Sequence, residues 1–440
     1  EMWNKHFFGT SAGNASPDRY DESITKRYGE PTGIEDYCRK AQLLNIETNK
    51  AMYEGWADNM WEDASGILTW MSQSAYPSFV WQTYDYYYDL NGAYWGAKKG
   101  SEPLHIQWNP VNNSIKVINT TRNTYEGLTA ELDVYNKDGK IAAEYTKKGT
   151  TDAAPSSATT VFTIPFAQNS VNIAAGKPAY ASTSGHGAAS LVTDGRTDTR
   201  WASLQNDREW IYIDLQKEET ITGVGITWEE AYARGFRIEV SNDAKNWNEV
   251  YSTNEGNGGV QKIMFDEVKA RYVRMAGVLR ASGWGYSIWE FEVYGSTDKA
   301  ATLSDVHFIK LKLKDKTGKP VSDNFYWRGL KRSNYQGLAT LPQVNLKVST
   351  KTTKANGKYV VNATITNPAS SAGVAVAVRV QAVKASNGDQ ILPVFTNDNY
   401  FSLIKGESKN ISIEFDAKYL GDNDSVKLLV EPYNKPTASK

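Results

Sequence analysis

The chain has 440 residues, which is longer than one hydrophobic core usually supports, so its length predicts three or four domains. Its 49 basic and 50 acidic residues give a formal net charge of −1, which argues against nucleic acid or an anionic membrane surface as a partner. No apolar run approaches the roughly 20 residues of a membrane span, and the single cysteine excludes an intrachain disulfide or a thiolate metal cluster.

Helical periodicity is confined to the first hundred or so residues. Apolar side chains recur at helical spacing between Gly33 and Trp61, which predicts a long helix. Cys38 falls within this pattern, and we expect it to be a buried structural thiol. The apolar run at residues 66–71 predicts a buried parallel strand, and an aromatic-rich loop follows to about Tyr88. This order is typical of one repeat of an α/β barrel.

From Leu104 onward the pattern changes to short alternating strands separated by Asn-Gly, Asp-Gly and other glycine-rich turns. Such a pattern predicts all-β sandwiches. Changes in composition mark candidate domain boundaries at residues 150–160, 295–301 and 333–342.

A dense set of motifs lies between residues 26 and 108. They are Arg27-Tyr28-Gly29, Tyr37-Cys38-Arg39-Lys40-Ala41-Gln42, Gly66-Ile67-Leu68-Thr69-Trp70-Met71, Ala75-Tyr76-Pro77-Ser78, Trp81-Gln82-Thr83-Tyr84-Asp85-Tyr86-Tyr87, Asn91-Gly92-Ala93-Tyr94-Trp95-Gly96 and Glu102-Pro103-Leu104-His105-Ile106-Gln107. In these motifs the segment resembles the end of the catalytic domain of family 2 glycoside hydrolases. It is most similar to bacterial exo-β-D-glucosaminidases, with β-mannosidases and plant-type endo-β-mannosidases as near relatives.

The resemblance implies that residues 1–103 form the C-terminal end of a catalytic (β/α)8 barrel. Trp70 would lie at the end of the eighth barrel strand, and the loop after it would line the substrate pocket. The substrate-binding residues implied in this way are Trp70, Trp81, Tyr84 and Asp85. Aromatic rings and a carboxylate suit a sugar. The alternative is that the aromatic side chains of this loop pack the barrel against the next domain.

The family's retaining mechanism uses an acid and a nucleophilic carboxylate about 5 Å apart. In the family both glutamates lie on earlier barrel strands, so the resemblance implies that they lie upstream of Glu1. Glu1, Glu22, Glu30 and Glu35 stand in no matching context, and we assign no catalytic residue to this chain. We therefore expect a missing N-terminal part of the same chain as a partner.

Two further segments resemble immunoglobulin-like domains of the same family. Residues 104–166 are similar to the first domain after the barrel, and residues 300–335, with Asn324-Phe325-Tyr326-Trp327, are similar to its remaining strands. This sandwich is therefore expected to be split. Residues 342–440 are expected to form a C-terminal immunoglobulin-like β-sandwich.

The segment between the two halves carries a different signature. Its motifs are Asp194-Gly195, Thr199-Arg200-Trp201, Trp210-Ile211-Tyr212-Ile213-Asp214-Leu215, Phe236-Arg237-Ile238-Glu239-Val240-Ser241-Asn242-Asp243, Trp247, Arg271-Tyr272-Val273-Arg274 and Glu290-Phe291-Glu292-Val293-Tyr294-Gly295. With these, residues 167–297 resemble an inserted discoidin-type domain (factor V/VIII C-type, carbohydrate-binding module family 32), which is a jelly-roll sandwich. The resemblance places Trp201, Trp210 and Trp247 at core positions.

In this class of module, sugars bind loops at one end of the sandwich. The candidate sugar-binding residues are Trp284, Tyr286, Arg208, Glu230, Arg234 and His186. We expect Trp284 to be exposed at a loop tip because Gly283 and Gly285 flank it, although packing in the core is the alternative. The 14 Trp and 26 Tyr residues of the chain fit stacking of aromatic rings on pyranose faces, while large sandwich cores also account for many of them.

A structural Ca²⁺ is expected in the same module. The resemblance implies ligands from the carboxylates of Asp194 and Glu290, from both oxygens of Thr199, and from backbone carbonyls of Leu191, Arg196 and Trp289. Oxygen ligands of these kinds suit calcium, whereas zinc is disfavoured because the loop offers no His or Cys. The alternative is an ordinary Asp-Gly turn with Glu290 as a surface charge.

The expected fold is therefore a mainly β multidomain chain, in which the end of a (β/α)8 barrel is followed by immunoglobulin-like sandwiches and an inserted discoidin-like jelly roll. The expected function is that of a secreted or periplasmic bacterial exo-β-glycosidase, of the β-glucosaminidase or β-mannosidase type, which cleaves terminal sugars from a polysaccharide or glycan. A non-catalytic carbohydrate-binding or adhesion protein is the alternative, and the inserted module could also be a mere spacer.

Overall fold

The computed structural model describes residues 17–62, 65–70, 72–78, 82–166, 171–295, 303–330, 333–421 and 424–435. The chain divides into two units. The first comprises Glu1–Ile164 and Thr302–Lys440, and the second, which we call the module, comprises Pro165–Ala301. Most of the described elements are strands, which confirms the mainly β prediction. Among the described helices, none carries a stretch long and apolar enough to cross a membrane.

The helices of the first unit are α1 (Pro17–Tyr28), α2 (Ile34–Asp58) and α3 (Gly92–Gly100). α2 confirms the long helix predicted from apolar periodicity, and it buries Leu43 and Leu44. Cys38 is exposed, so the predicted buried thiol is wrong. The reason is that Cys38 lies off the helical stripe that carries the two buried leucines.

Glycines allow α3 to pack very close to α2. A Cβ atom added at Gly92 would lie 2.5 Å from the carbonyl oxygen of Gln42. One added at Gly96 would lie 2.4 Å from the carbonyl oxygen of Ile46. Any side chain at either position would therefore force the two helices apart.

The run at residues 66–71 does not form the predicted strand over its described residues 66–70. Leu68 is fully exposed, and Trp70 is 80% exposed. A strand is held by hydrogen bonds to its neighbours, and no sheet in the described part of the chain includes this segment. The prediction of a buried strand is wrong for these residues, and no barrel is confirmed.

Seven strands of the first unit form two sheets after the helices: β1 (Leu104–Trp108), β2 (Ser114–Asn119), β3 (Tyr125–Asn136), β4 (Lys147–Ala153), β5 (Ser157–Thr163), β14 (Val306–Lys314) and β15 (Pro320–Gly329). The strand orders are β1-β2-β5 and β15-β14-β3-β4. β14 lies between its two neighbours, so Leu311 pairs with Leu132 on one side and with Asn324 on the other. Strands that precede the module in sequence thus share a sheet with strands that follow it.

A second pair of sheets in the first unit uses β16 (Lys347–Ala355), β17 (Lys358–Thr366), β18 (Ala375–Lys384), β19 (Phe395–Thr396), β20 (Phe401–Leu403), β21 (Ser408–Asp416) and β22 (Val426–Glu431). The orders are β16-β17-β21-β19 and β20-β18-β22. Side chains such as Ile365 and Ile413 are buried between polar neighbours, which is the pattern of a half-buried antiparallel strand.

The module contains β6 (Val171–Asn172), β7 (Ala179–Ala181), β8 (Trp201–Ala202), β9 (Trp210–Trp228), β10 (Ala233–Ser241), β11 (Asn248–Thr253), β12 (Val260–Arg280) and β13 (Ser287–Gly295). The main order is β11-β10-β12-β9-β13-β6. Trp201 is fully buried in the core, as predicted. Trp210 and Trp247 are only half-buried and lie outside that core, so their predicted core positions are wrong.

A buried network of polar side chains joins α2 to strands β1 and β15. The ring nitrogens of His105 lie 3.0 Å from Glu54 Oε1 and 3.2 Å from Glu102 Oε2. Burial lowers the pKa of His105, but hydrogen bonds to Glu102 and Glu54 outweigh burial and raise the pKa above its ordinary value. A neutral imidazole donates at one nitrogen only, so two carboxylate acceptors favour the doubly protonated ring. The Asn324 amide joins the network by donating to Glu54 Oε1 at 2.7 Å.

We expect the first unit to lose stability as the pH rises above about 6.5, the ordinary pKa of histidine. The folded-state pKa of His105 is raised, so its protonated ring contributes fully below that pH, and the contribution is lost as the pH rises through the folded value. Thermal unfolding between about pH 6 and about pH 8 measures this. His105→Gln should be about 3 kcal/mol less stable than wild type at the acidic end and should decline less with pH.

His307→Gln is the matched control for this measurement. Burial lowers the pKa of His307 to about 3, so that ring stays neutral over the whole range. The range ends near pH 8 because burial also lowers the pKa of Lys50 to about 8. If the stability of His105→Gln falls with rising pH as steeply as that of wild type, the pH dependence does not come from His105.

Candidate functional site

Four loops meet at one end of the module; they comprise residues 183–187, 203–209, 229–234 and 280–286. The backbone hydrogen bonds that join them are Gly185 N to Ala202 O (2.8 Å), Ser203 N to Tyr286 O (2.8 Å) and Ala281 N to Tyr232 O (3.1 Å). We call this surface the loop end. It brings together all six residues that the sequence indicates for sugar binding.

Trp284 stands at the tip of the loop end with its indole 69% exposed. Gly285 must be glycine there, because a Cβ atom would lie 2.3 Å from the carbonyl oxygen of Ser203. The tight approach holds the loop against its neighbour and leaves the indole outside. The alternative of core packing therefore does not hold for Trp284. Leu204, which the sequence did not single out, is exposed on the adjacent loop.

Tyr286 does not face solvent. Its side chain is fully buried, and its ring fills the space over Gly277, where a Cβ atom would lie 2.0 Å away. Its hydroxyl donates to the backbone carbonyl of Asp207 at 2.9 Å. The prediction that Tyr286 contacts sugar is wrong, because the missing side chain at Gly277 opens a core position that the ring occupies. Tyr286 instead positions the loop that carries Asp207.

The four remaining predicted residues are exposed side chains around the indole; they are Arg208, Glu230, Arg234 and His186. His186 is fixed through its backbone, which exchanges hydrogen bonds with Ala202 at 2.8 Å and 3.1 Å. Each of these side chains is therefore free to reach a ligand at the loop end.

Two carboxylates in the loop end are held in place by their neighbours. Asp207 Oδ1 accepts from Arg280 Nε at 2.8 Å, and this hydrogen bond lowers the pKa of Asp207. The buried carboxylate of Glu209 accepts from the hydroxyls of Ser182 and Thr183, the latter at 2.6 Å. The sequence did not indicate Arg280 as a site residue, because it is the last residue of β12 and lies in an alternating strand pattern.

The carboxylates predicted to bind calcium also come together in the module. The Arg196 amide donates to both Asp194 Oδ1 and Glu290 Oε1, each at 2.9 Å. Thr199 Oγ1 donates to Asp194 Oδ2 at 2.7 Å. Burial, together with the facing carboxyl of Asp194, raises the pKa of Glu290 to about 7. The guanidinium of Arg196 is paired with Asp198 at 2.8 Å and makes no hydrogen bond to either carboxylate of the pair among the described residues.

The donor set at this pair fits a hard cation. Leu191 and Trp289, whose carbonyls were expected to complete the shell, flank the pair in sequence, in the segment before Asp194 and next to Glu290. No described group of three or more His, Cys, Asp or Glu side chains could hold a metal ion. A cation at this place would therefore depend on carbonyl and hydroxyl oxygens as well as the two carboxylates.

The aromatic loop of the first unit is tied together near Trp70. The Ser72 carbonyl accepts from the amides of Thr83 and Tyr84 at 3.1 Å and 3.2 Å, so the chain next to Trp70 lies beside the Tyr84 loop. Asp85 Oδ1 accepts from two backbone amides within its own turn, at 2.8 Å and 3.0 Å. Trp81 lies outside the described residues. Asp85 therefore shapes the loop with one of its oxygens.

Comparison with known proteins identifies two domains of the chain. Residues 177–291 match the F5/8 type C domain, and residues 324–435 match the exo-beta-D-glucosaminidase Ig-fold domain. The matches fall in the module and on the last described strands of the first unit.

Among curated proteins, an exo-beta-D-glucosaminidase of Amycolatopsis orientalis is 41% identical over 149 residues, which cover 33% of this chain and 14% of that protein. A mannosylglycoprotein endo-beta-mannosidase of Lilium longiflorum is 36% identical over 138 residues, or 31% of this chain and 14% of that protein. The matched part of the chain thus spans about one seventh of either relative.

The crystal structure of Amycolatopsis orientalis exo-chitosanase CsxA has the same fold over much of its superposed length. Its TM-score is 0.58 at 22% identity, and the alignment covers 99% of this chain and 38% of that one. The superposition shows the fold, and the two domain matches with the curated relatives confirm the resemblance to family 2 glycoside hydrolases of the exo-β-D-glucosaminidase type, in a chain that carries an F5/8 type C domain.

Proposed function

We propose that the chain belongs to a retaining exo-β-glycosidase, of the β-glucosaminidase or β-mannosidase type, that removes non-reducing terminal sugars from a polysaccharide or glycan. The names of its relatives support this activity. The observation that carries the role of the module is the exposed indole of Trp284 in the loop end. In this proposal the loop end holds the polymer.

The chemistry of the loop end suits an amino sugar. The apolar face of a pyranose stacks on an indole such as Trp284, and carboxylates beside it accept hydrogen bonds from hydroxyl or ammonium groups. Glu230 is exposed for such a contact, whereas the buried Glu209 accepts hydrogen bonds from Ser182 and Thr183 and holds the loop in place. Glucosamine carries an ammonium group at neutral pH, so we favour a glucosamine polymer over a mannoside as the ligand.

Holding the polymer would serve hydrolysis by effective concentration. A weak site tethered to an enzyme raises the local concentration of chain ends near the active site, without any new contact to the reacting sugar. A polysaccharide is too large to cross a membrane unaided, so we place the parent protein outside the cytoplasm, either secreted or periplasmic.

We also assign residues 1–103 to the end of a catalytic barrel in the parent enzyme. Leu68 and Trp70 are large apolar side chains in an exposed segment, and neighbouring barrel strands would bury them and supply the missing hydrogen bonds. In that setting Trp70, Tyr84 and Asp85 would lie at the rim of the substrate pocket together with Trp81.

A structural Ca²⁺ completes the proposal for the module. The side chains of Asp194, Thr199 and Glu290 and the carbonyls of Leu191, Arg196 and Trp289 would hold it. The ion would neutralise two facing carboxylates that form no salt bridge among the described residues, which fits the raised pKa of Glu290.

The first test concerns the sugar site. We expect the chain to bind a glucosamine hexamer with a Kd of roughly 0.1–1 mM, because one stacked ring and a few hydrogen bonds must offset lost ligand freedom. Trp284→Ala should weaken binding at least about tenfold in isothermal titration without lowering the melting temperature. Trp61→Ala, which removes an equally exposed indole from the first unit, is the control. Equal affinity in Trp284→Ala would remove the loop end from consideration.

The second test concerns calcium. Without the ion, the raised pKa of Glu290 means that the module loses stability as the pH rises from the ordinary carboxyl value of about 4.3 toward about 7. Calcium needs the deprotonated form, so it should restore stability most strongly near pH 8. We expect millimolar Ca²⁺ to raise the melting temperature of the module by about 5 °C there and to have little effect near pH 5.

Glu290→Gln should abolish this response, whereas Glu249→Gln, an exposed change on β11, should leave it intact. Metal analysis of protein equilibrated with calcium gives an independent readout. Retention of no calcium by the wild-type chain would refute the site.

The third test concerns catalysis. We expect this chain alone to hydrolyse no aryl β-glucosaminide, β-mannoside or β-galactoside, because we assign neither the acid nor the nucleophile to it. Release of the aryl group is measured against a buffer blank. Turnover above that blank, reproduced with independently purified protein, would overturn this part of the proposal.

A further inference from the structure

A cluster of five aromatic side chains covers one side of the module, away from its core; they are Tyr180, Trp210, Tyr212, Trp247 and Tyr272. We call it the aromatic face. Successive side chains of a strand point to opposite sides of a sheet, and the fully buried Ile211 and Ile213 flank Tyr212 on β9. Tyr212 therefore faces solvent. None of the five rings belongs to the buried core of the described module.

The five rings form one connected patch around Tyr212. The centroid of its ring lies 5.3 Å from that of Tyr180, 5.5 Å from Trp210, 5.6 Å from Trp247 and 5.8 Å from Tyr272. Tyr180, on the short outer strand β7, is 50% exposed. Tyr180 and Trp210 stack on Tyr212 at interplanar angles of 29° and 20°, whereas Trp247 is tilted by 49° and Tyr272 meets the ring edge-on at 88°. The rings thus form a continuous, half-buried aromatic patch on the solvent side of the sheet.

The charges on this surface are cancelled in pairs. Arg274 lies under the Trp247 ring, 4.1 Å from its centroid, and bonds Glu239 at 2.6 Å. Arg271 bonds both oxygens of Asp214, at 2.8 Å and 2.9 Å. Since each guanidinium already has a carboxylate partner, these two arginines give the patch no net positive charge that would attract a polyanion.

Polar groups remain available at the edges of the rings. Among the described residues, no hydrogen bond satisfies the hydroxyls of Tyr180, Tyr212 and Tyr272 or the indole N–H groups of Trp210 and Trp247. Aromatic rings bordered by free donors suit a sugar, which presents an apolar face and a rim of hydroxyls.

We propose that the aromatic face is a second glycan-binding surface of the module, whose ligand is an uncharged β-linked polysaccharide segment. Its preference differs from that of the loop end, where carboxylates favour an ammonium group. The two surfaces adjoin, because Glu209 of the loop end directly precedes Trp210. A partly N-acetylated polymer would place charged and uncharged sugars on the two surfaces, although the aromatic face does not depend on the loop end for its own binding.

The test uses the full chain and two probes, an N-acetylated chitohexaose and the glucosamine hexamer. Titrations are run on wild type, Trp284→Ala, Tyr180→Ala and Trp247→Ala. The aromatic face predicts that Tyr180→Ala and Trp247→Ala each weaken binding of the N-acetylated probe by about tenfold and leave binding of the glucosamine hexamer within about twofold. Trp284→Ala should show the reverse pattern.

Tyr180→Phe keeps the ring and should retain binding of the N-acetylated probe within about threefold, which separates ring stacking from loss of fold. Phe395→Ala, which removes an exposed aromatic ring from the first unit outside the aromatic loop, is the matched control. The inference is overturned if wild type and Trp284→Ala fail to bind the N-acetylated probe, or if Tyr180→Ala binds it as wild type does. It is also overturned if Tyr180→Ala changes self-association in sedimentation instead, since the face would then cover a second copy.

Discussion

The pairing of β14 with β3 and β15 is the constraint on which the first unit depends. These strands lie on either side of the module in sequence, and the sheet β15-β14-β3-β4 exists only when they meet. The entropic cost of closing a loop grows only slowly with the length of the loop. Inserting the module between strands of one sheet therefore costs the first unit little free energy. Each pairing then contributes hydrogen bonds and buried side chains, with Leu311 opposite Leu132 in the centre.

In the module, glycines decide which aromatic side chains face water. Gly277 leaves room for the ring of Tyr286 in the core, and Gly285 lets the neighbouring loop approach until Trp284 is left outside. Two aromatic residues separated by one position thus have opposite roles. Tyr286 anchors the loop end, and Trp284 is available to a ligand. On the sheet, the alternation of side chains along β9 turns the half-buried Tyr212 toward solvent between two buried isoleucines.

Local patterns in the sequence predicted what depends on local structure. Apolar spacing identified α2, and flanking glycines identified the exposed Trp284. The predictions failed where contacts between residues far apart in the sequence determine the structure. The burial of Tyr286 depends on Gly277 in β12, and no sheet among the described residues includes residues 66–70. Trp210 and Trp247 resembled core residues because half-buried aromatic patches and cores use the same residue types.

The two ends of the module are paired with each other. Asn172 on β6 lies opposite Tyr294 on β13, so the chain enters and leaves through adjacent strands. A domain with this property behaves as a cassette: it attaches at a single point, and its host needs only one surface loop to carry it. An element of this kind can be grafted between two strands of another protein without altering the pairing of the strands that receive it.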